Sequence, residues 1–183
     1  MTKAVLIIDM LKEFVHGKLG FKEAKSIIPG ILALLTEARR AKIPVIYICD
    51  SHKPGDHELS VWGPHAMEGS PDSEVIEELK PEKGDIIIKK NTYSGFFRTK
   101  LNECLKSMGI DSLILTGVHT HICIQHTAAD AFFRGYKLII PIECVAGKPI
   151  EEHQRSLEYM KRIYNAKVLK LDKVLEDLRG NAR

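Results

Sequence analysis

Ala4-Val5-Leu6-Ile7-Ile8-Asp9 is an unbroken aliphatic run that stops on an acid. Apolar residues without polar alternation describe a strand covered on both faces, as parallel strands flanked by helices are. The same signature recurs at 44–49, 85–89, 112–116, 137–142 and 167–171. Between these runs the period changes. Pro29 sits where a first helical turn tolerates a missing N–H, and Ile31, Leu34, Leu35 and Ala38 follow at helical spacing toward Lys42. Further helices are expected over 95–108, over 121–134 with Gly135 as the left-handed residue at its end, over 151–164 and over 173–178. The tail 176–183 reads as polar and frayed. Strands alternating with helices predict an α/β protein of three layers, α/β/α, and the length of 183 residues suits one domain spanning 1–183.

Composition narrows the class of function. Lys and Arg total 27 against 24 Asp and Glu, scattered along the chain, so no basic stripe addresses a nucleic acid. The apolar runs are far shorter than the ~20 residues a membrane span needs, and 4–8 runs into Asp9 and Lys12 without a cleavage site, so a cytoplasmic protein is expected. Cys49, Cys104, Cys123 and Cys144 are widely spaced with no CxxC pair, which favours reduced thiols over a disulfide frame. The turn after the first strand, Asp9-Met10-Leu11-Lys12-Glu13-Phe14, lacks GxGxxG, and no Walker loop is present.

Ligands of an open parallel sheet bind beyond the carboxyl ends of its strands. Asp9 ends the first run, Asp50 the second and Lys90 the third, and Cys123 follows the fourth in a turn that opens a helix. These four should share one rim. A helix N-terminus and a nearby ammonium would both favour a thiolate at Cys123, whose bland reading is a small buried hydrophobe. Asp9 reads as a proton-transfer group or a cap, and Lys90 as an active-site cation or a solvated strand end. A dyad of Cys123 with His126 is poorly suited, because both would hang from one helix. Cys49, Cys104 and Cys144 read as structural. Asp50 and His52, two apart on extended chain, project to one side, and His65 from the Gly/Pro-rich stretch 50–72 would complete a two-histidine, one-carboxylate metal set, with His57 as a competing ligand.

Three separated motifs carry a resemblance over residues 3 to 171. They are Asp9-Met10-Leu11-Lys12-Glu13-Phe14; Lys90-Asn91-Thr92-Tyr93-Ser94-Gly95-Phe96 with Thr99 and Leu101; and Gly117-Val118-His119-Thr120-His121-Ile122-Cys123-Ile124 with Thr127-Ala128, Asp130-Ala131 and Gly135-Tyr136. The chain resembles the isochorismatase-like cysteine hydrolases, and within them the nicotinamidase/pyrazinamidase group. The resemblance implies a six-stranded parallel sheet, a catalytic triad of Asp9, Lys90 and Cys123, and a cis peptide between Val118 and His119. It also implies an oxyanion hole from the backbone N–H groups of His119 and Cys123. Asp50, His52 and His65 fall where nicotinamidases bind zinc, iron or manganese, so one divalent metal per chain is implied, zinc first. His121 stands where nicotinamidases carry an acid, and the loop from Asp50 to His57 is spaced differently from theirs.

The implied activity is hydrolysis of nicotinamide to nicotinic acid and ammonia for NAD salvage, the metal orienting the pyridine nitrogen and Phe14 and Trp62 walling the ring. The alternatives are a related amidohydrolase acting on another small carboxamide or carbamoyl compound, and a non-catalytic binding domain of the same fold. A small-molecule amide is the expected partner, in a homo-oligomer as relatives suggest.

Overall fold

All six expected strands form in the computed structural model, which describes residues 2–180. They are β1 (Lys3–Ile8), β2 (Val45–Asp50), β3 (Ile86–Lys90), β4 (Ser112–Val118), β5 (Lys137–Pro141) and β7 (Lys167–Leu169). A seventh, β6 (Val145–Ala146), is too short to give a sequence signal and pairs with the end of β4. Every pairing is parallel, in the order β3-β2-β1-β4-β5-β7. The chain starts at the centre and builds outward, which puts the ends of β1, β2, β3 and β4 side by side.

Period-two alternation along β1 divides the core into two. Val5 and Ile7 pack with Ile31, Leu34 and Leu35 of the Ile28–Arg40 helix on one face. Ala4, Leu6 and Ile8 pack with Leu101, Leu105, Ala128, Leu157 and Met160 on the other. Both faces are therefore dry, and the three expected layers follow.

Helix boundaries moved where side chains compete for the backbone. The expected helix 95–108 is regular only over Leu101–Ser107. Before it, Gly95 packs so tightly on Ile48 that a Cβ would lie 2.9 Å from Ile48 Cγ2, and Thr99 Oγ1 donates to the Gly95 carbonyl at 2.5 Å. The expected helix 121–134 splits into a wide π-type turn, Thr120–Ile124, and an α-helix, Gln125–Phe133, and ends as anticipated with Gly135 at φ 83°. The tail is not frayed through 180: Leu171–Gly180 is helical, Val174 and Leu178 are buried, and Arg179 bonds Glu37 at 3.1 Å. Residues 181–183 of that expectation lie outside the described residues.

Gly117 is the tightest point of the sheet. Its φ is +109°, and a Cβ there would fall on the Ile8 carbonyl oxygen. Gly117→Ala is expected to cost more than ~3 kcal/mol or to prevent folding, against ~1 kcal/mol for Gly109→Ala, which has φ +64° but open space around it. Chemical-denaturation midpoints of the two variants check the contrast.

Candidate active site

Asp9 is the first residue past β1, and its φ of 52° turns the chain off the sheet, a conformation Asp tolerates better than most residues. Its N–H donates to the Ile48 carbonyl at 2.9 Å, and its Oδ1 accepts the Asp50 N–H at 2.9 Å. Asp50 and Lys90 end β2 and β3 in direct register. Lys90 Nζ lies 2.5 Å from Asp50 Oδ1, 2.8 Å from Asp9 Oδ2 and 3.6 Å from Cys123 Sγ. Cys123 reaches the group from the Thr120–Ile124 turn. Ligand atoms of Asp9, Asp50 and Cys123 lie within 4.8 Å of one another, all buried. Sequence reasoning placed four residues on one rim, and the structure brings them together.

Burial and the neighbouring Lys90 charge act on the sulfur in opposite directions. Burial pushes the Cys123 thiol well above its ordinary value; Lys90 works to lower it, but Asp9 and Asp50 oppose Lys90. Burial first, and the two carboxylates that share that lysine after it, outweigh the pull that a helix start and one lysine exert toward a thiolate. Asp9 is raised to about 6, by burial first and by the charge of Asp50 second, with Lys90 pulling the other way. Burial works against the Lys90 charge, but Asp50, Asp9 and Cys123 outweigh it, and the ammonium is held well above its usual range.

Asp50 also belongs to a second group. The 50–72 stretch folds back as a bridge, with the His52 N–H donating to the Ala66 carbonyl at 3.0 Å and the Glu68 N–H to the His52 carbonyl at 2.8 Å. That brings the His52 and His65 rings to 4.5 Å. His52 Nε2 is 3.8 Å from Asp50 Oδ2 and 3.9 Å from Glu58 Oε1, and His65 Nε2 is 3.8 Å from Glu58 Oε1. These spacings exceed hydrogen-bond range, and His52 Nδ1 and Nε2, Asp50 Oδ2 and Glu58 Oε2 are buried without a hydrogen-bond partner. His65 Nδ1 pairs with the Gly63 carbonyl at 2.8 Å, so it carries the proton and leaves Nε2 as a lone pair facing the carboxylates. Four convergent N and O donors without internal partners fit a divalent cation such as zinc.

Glu58 was missed by sequence reasoning. Its signal was present, an acid between two histidines of one loop, but only the short Leu59–Trp62 helix turns it inward while His57 stays exposed. His57 is therefore outside the cluster. His126 is exposed and pairs with the Ile122 carbonyl at 2.7 Å, and forms no dyad with Cys123. Cys49, Cys104 and Cys144 are unbonded.

Both groups border one cavity of about 250 Å³. That is just below the ~300–1,000 Å³ of drug-sized sites, so it suits a small molecule. Phe14 and Trp62 line it as expected, and Tyr93, unforeseen, holds Trp62 Nε1 at 3.1 Å. His119 and Cys123 border it too, and the Val118–His119 peptide is cis. His121 stands off the triad, with its Nδ1 buried and unpartnered and its ring against His119 at 5.8 Å.

A parallel α/β scaffold with a buried Asp–Lys–Cys group beside a His/carboxylate cluster defines a class, that of the isochorismatase-like hydrolases. Residues 3–172 match the isochorismatase domain, and the chain belongs to the isochorismatase family. It is 33% identical to nicotinamidase 3 of Arabidopsis thaliana, over 97% of this chain and 89% of that one. Among solved structures it superposes on N-carbamoylsarcosine amidase of Thermoplasma acidophilum with a TM-score of 0.90 at 39% identity, covering 94% and 98% of the two chains. It superposes on the pyrazinamidase of Pyrococcus horikoshii in complex with zinc with a TM-score of 0.84 at 26% identity, covering 93% and 99%. None of the described helices is long and apolar enough to cross a membrane.

His119 makes a testable electrostatic statement. Burial, aided by His121 and Lys148, lowers it to about 4. A histidine held neutral in the fold is a liability once the unfolded chain binds its proton, so its contribution to stability is lost as pH falls from 6.5 toward 4. His119→Asn should remove this loss, and the stability gap between wild type and variant should shift by roughly 3 kcal/mol between about pH 7.5 and pH 4. Urea titrations across that range measure it.

Proposed function

We propose that the protein is an amidohydrolase that splits the C–N bond of a small primary amide or carbamoyl compound, with Cys123 as nucleophile. The observation that carries this reading is that Cys123 and Asp9 border the same small cavity as Asp50, Glu58 and His65. Asp9, held at about 6, is poised to take the thiol proton as the sulfur attacks the carbonyl carbon. Lys90 keeps the resulting anion and the Asp9 carboxyl in place, and the N–H groups of His119 and Cys123 receive the charge on the carbonyl oxygen. The C–N bond then breaks, the nitrogen leaves as ammonia with the proton from Asp9, and a thioester remains on Cys123. Water, deprotonated by Asp9, attacks that thioester, releases the carboxylic acid and returns the thiol.

Asp50, His52, Glu58 and His65 would hold a divalent ion, zinc first, with iron or manganese as alternatives. When bound it supplies a Lewis-acid contact that orients a donor atom of the substrate. Phe14 and Trp62 wall the space for a flat group. Nicotinamide is the first substrate to test, on the motif resemblance and the likeness to the plant nicotinamidase. A second reading, an N-carbamoyl compound as substrate, is favoured by the higher identity, 39%, to the carbamoylsarcosine amidase.

Cys123→Ala should reduce ammonia release from the substrate by about 10³-fold or more without loss of folding. Turnover unchanged by the substitution would end the nucleophile assignment. Protein purified without a histidine tag should carry about one divalent ion per chain by elemental analysis, with His52→Ala losing it and Glu58→Gln weakening affinity by roughly 10–100-fold. Substoichiometric zinc, iron and manganese in the wild type would remove the metal from this reading.

A further inference from the structure

The charges of the cavity are divided by depth. Its floor carries Asp9, Asp50 and Glu58, with the Lys90 ammonium buried among them. Its rim carries Lys18 and Lys148, both exposed, and neither forms an ion pair with any described residue. Lys90 pairs with Asp9 at 2.8 Å and with Asp50 at 2.5 Å, so the rim lysines are not the partners of these two acids.

Neither lysine hangs from slack chain. Lys18 sits in a closed turn, where the Gly17 N–H donates to the Lys12 carbonyl at 2.7 Å, the Leu19 N–H to buried Glu13 Oε1 at 3.1 Å and the Gly20 N–H to the Gly17 carbonyl at 3.0 Å. A Cβ at Gly17 would meet Glu13 Cα at 2.8 Å, and one at Gly20 would meet the Gly17 oxygen at 2.9 Å. Lys148 follows Gly147, where a Cβ would lie 2.9 Å from His121 Nδ1 and 3.3 Å from the Thr120 nitrogen. Two tight backbones therefore present two unpaired ammonium groups at the mouth of one small cavity. Such an arrangement concentrates anions and repels cations, and it gives a neutral ring amide nothing.

We propose that the physiological substrate carries a carboxylate in addition to the amide or carbamoyl group that meets Cys123, and that Lys18 and Lys148 receive that carboxylate. This assignment rests on the amidohydrolase reading and selects within it, toward N-carbamoyl acids and away from nicotinamide.

N-carbamoylglycine and its methyl ester differ in that charge and in one methyl group. For the wild type, kcat/KM is expected to be about tenfold or more higher for the acid, with the advantage shrinking as salt shortens the reach of the lysines. In the Lys18→Met/Lys148→Met protein the acid-to-ester ratio should collapse toward one, chiefly through KM. A wild-type preference for the ester or for nicotinamide, or a ratio untouched by the double substitution, overturns the proposal. Trp62 is the single tryptophan and borders the cavity, so its fluorescence reads binding without turnover in Cys123→Ala protein. If wild type hydrolyses none of the three compounds, the amidohydrolase reading fails for them, and the fluorescence titration still decides the lysines. Acid bound about tenfold more weakly after the double substitution supports them, and acid bound equally well overturns them.

Discussion

The ammonium of Lys90 is the constraint around which the rest is arranged. Its side chain is wholly buried at the end of β3, and an isolated charge there would cost several kcal/mol. It is tolerable because two strand ends deliver carboxylate oxygens to it, Asp50 from the adjacent strand in register and Asp9 from the strand beyond. Strand order thus becomes electrostatics. Had β1 and β2 been separated in the sheet, the lysine would face one acid, and a neutral thiol beside it would give way more readily to a thiolate. With burial and two acids acting on it, the thiol is pushed up, and Asp9 itself is raised to about 6. A thiol pushed up in this way is less exposed to chance oxidation and alkylation, which follow thiolate character.

Asp50 ties this group to the neighbouring cluster. One of its oxygens meets Lys90 and the other faces His52. Any charge that arrives among His52, Glu58 and His65 is therefore felt at Lys90 through a single carboxylate. The two groups form one electrostatic unit, and deleting Asp50 would uncover a buried lysine as well as remove a carboxylate from the histidine cluster. Effects of substitutions at Asp9, Asp50 and Lys90 should for that reason not add.

Much of this was legible in the sequence because apolar runs that stop on a charged residue are unusual and mark strand ends. Asp9, Asp50 and Lys90 each announce themselves that way, and a parallel sheet places all strand ends on one side. What was not legible depends on how loops fold back. Glu58 and His57 are adjacent, equally able to bind metal, and only a four-residue helix decides which one turns inward. Tyr93 is a motif residue whose hydroxyl meets Trp62 from another loop, a contact no spacing rule gives. The strand β6 is two residues long, below any period. The balance at Cys123 was not legible for a related reason: local features favour a thiolate, and what opposes them is burial together with two carboxylates, one of them from a residue 73 positions away.

The division between strand ends and loops also explains how one scaffold resembles both an enzyme named for nicotinamide and one named for a carbamoyl acid. Asp9, Lys90 and Cys123 are held by the sheet and by the turn that follows β4, so this group is as rigid as the core beneath it. The walls are not. Lys18 belongs to the turn after the first short helix, Trp62 and Glu58 to the folded-back loop, and Lys148 to the link after β6. Loops tolerate substitution at small cost to stability, whereas a change at a strand end disturbs a buried charge. Substrate choice can therefore drift at the rim while the floor stays fixed. A cavity whose deep acids Asp9 and Asp50 face Lys90, and whose rim carries Lys18 and Lys148, leaves its selectivity to those few loop positions.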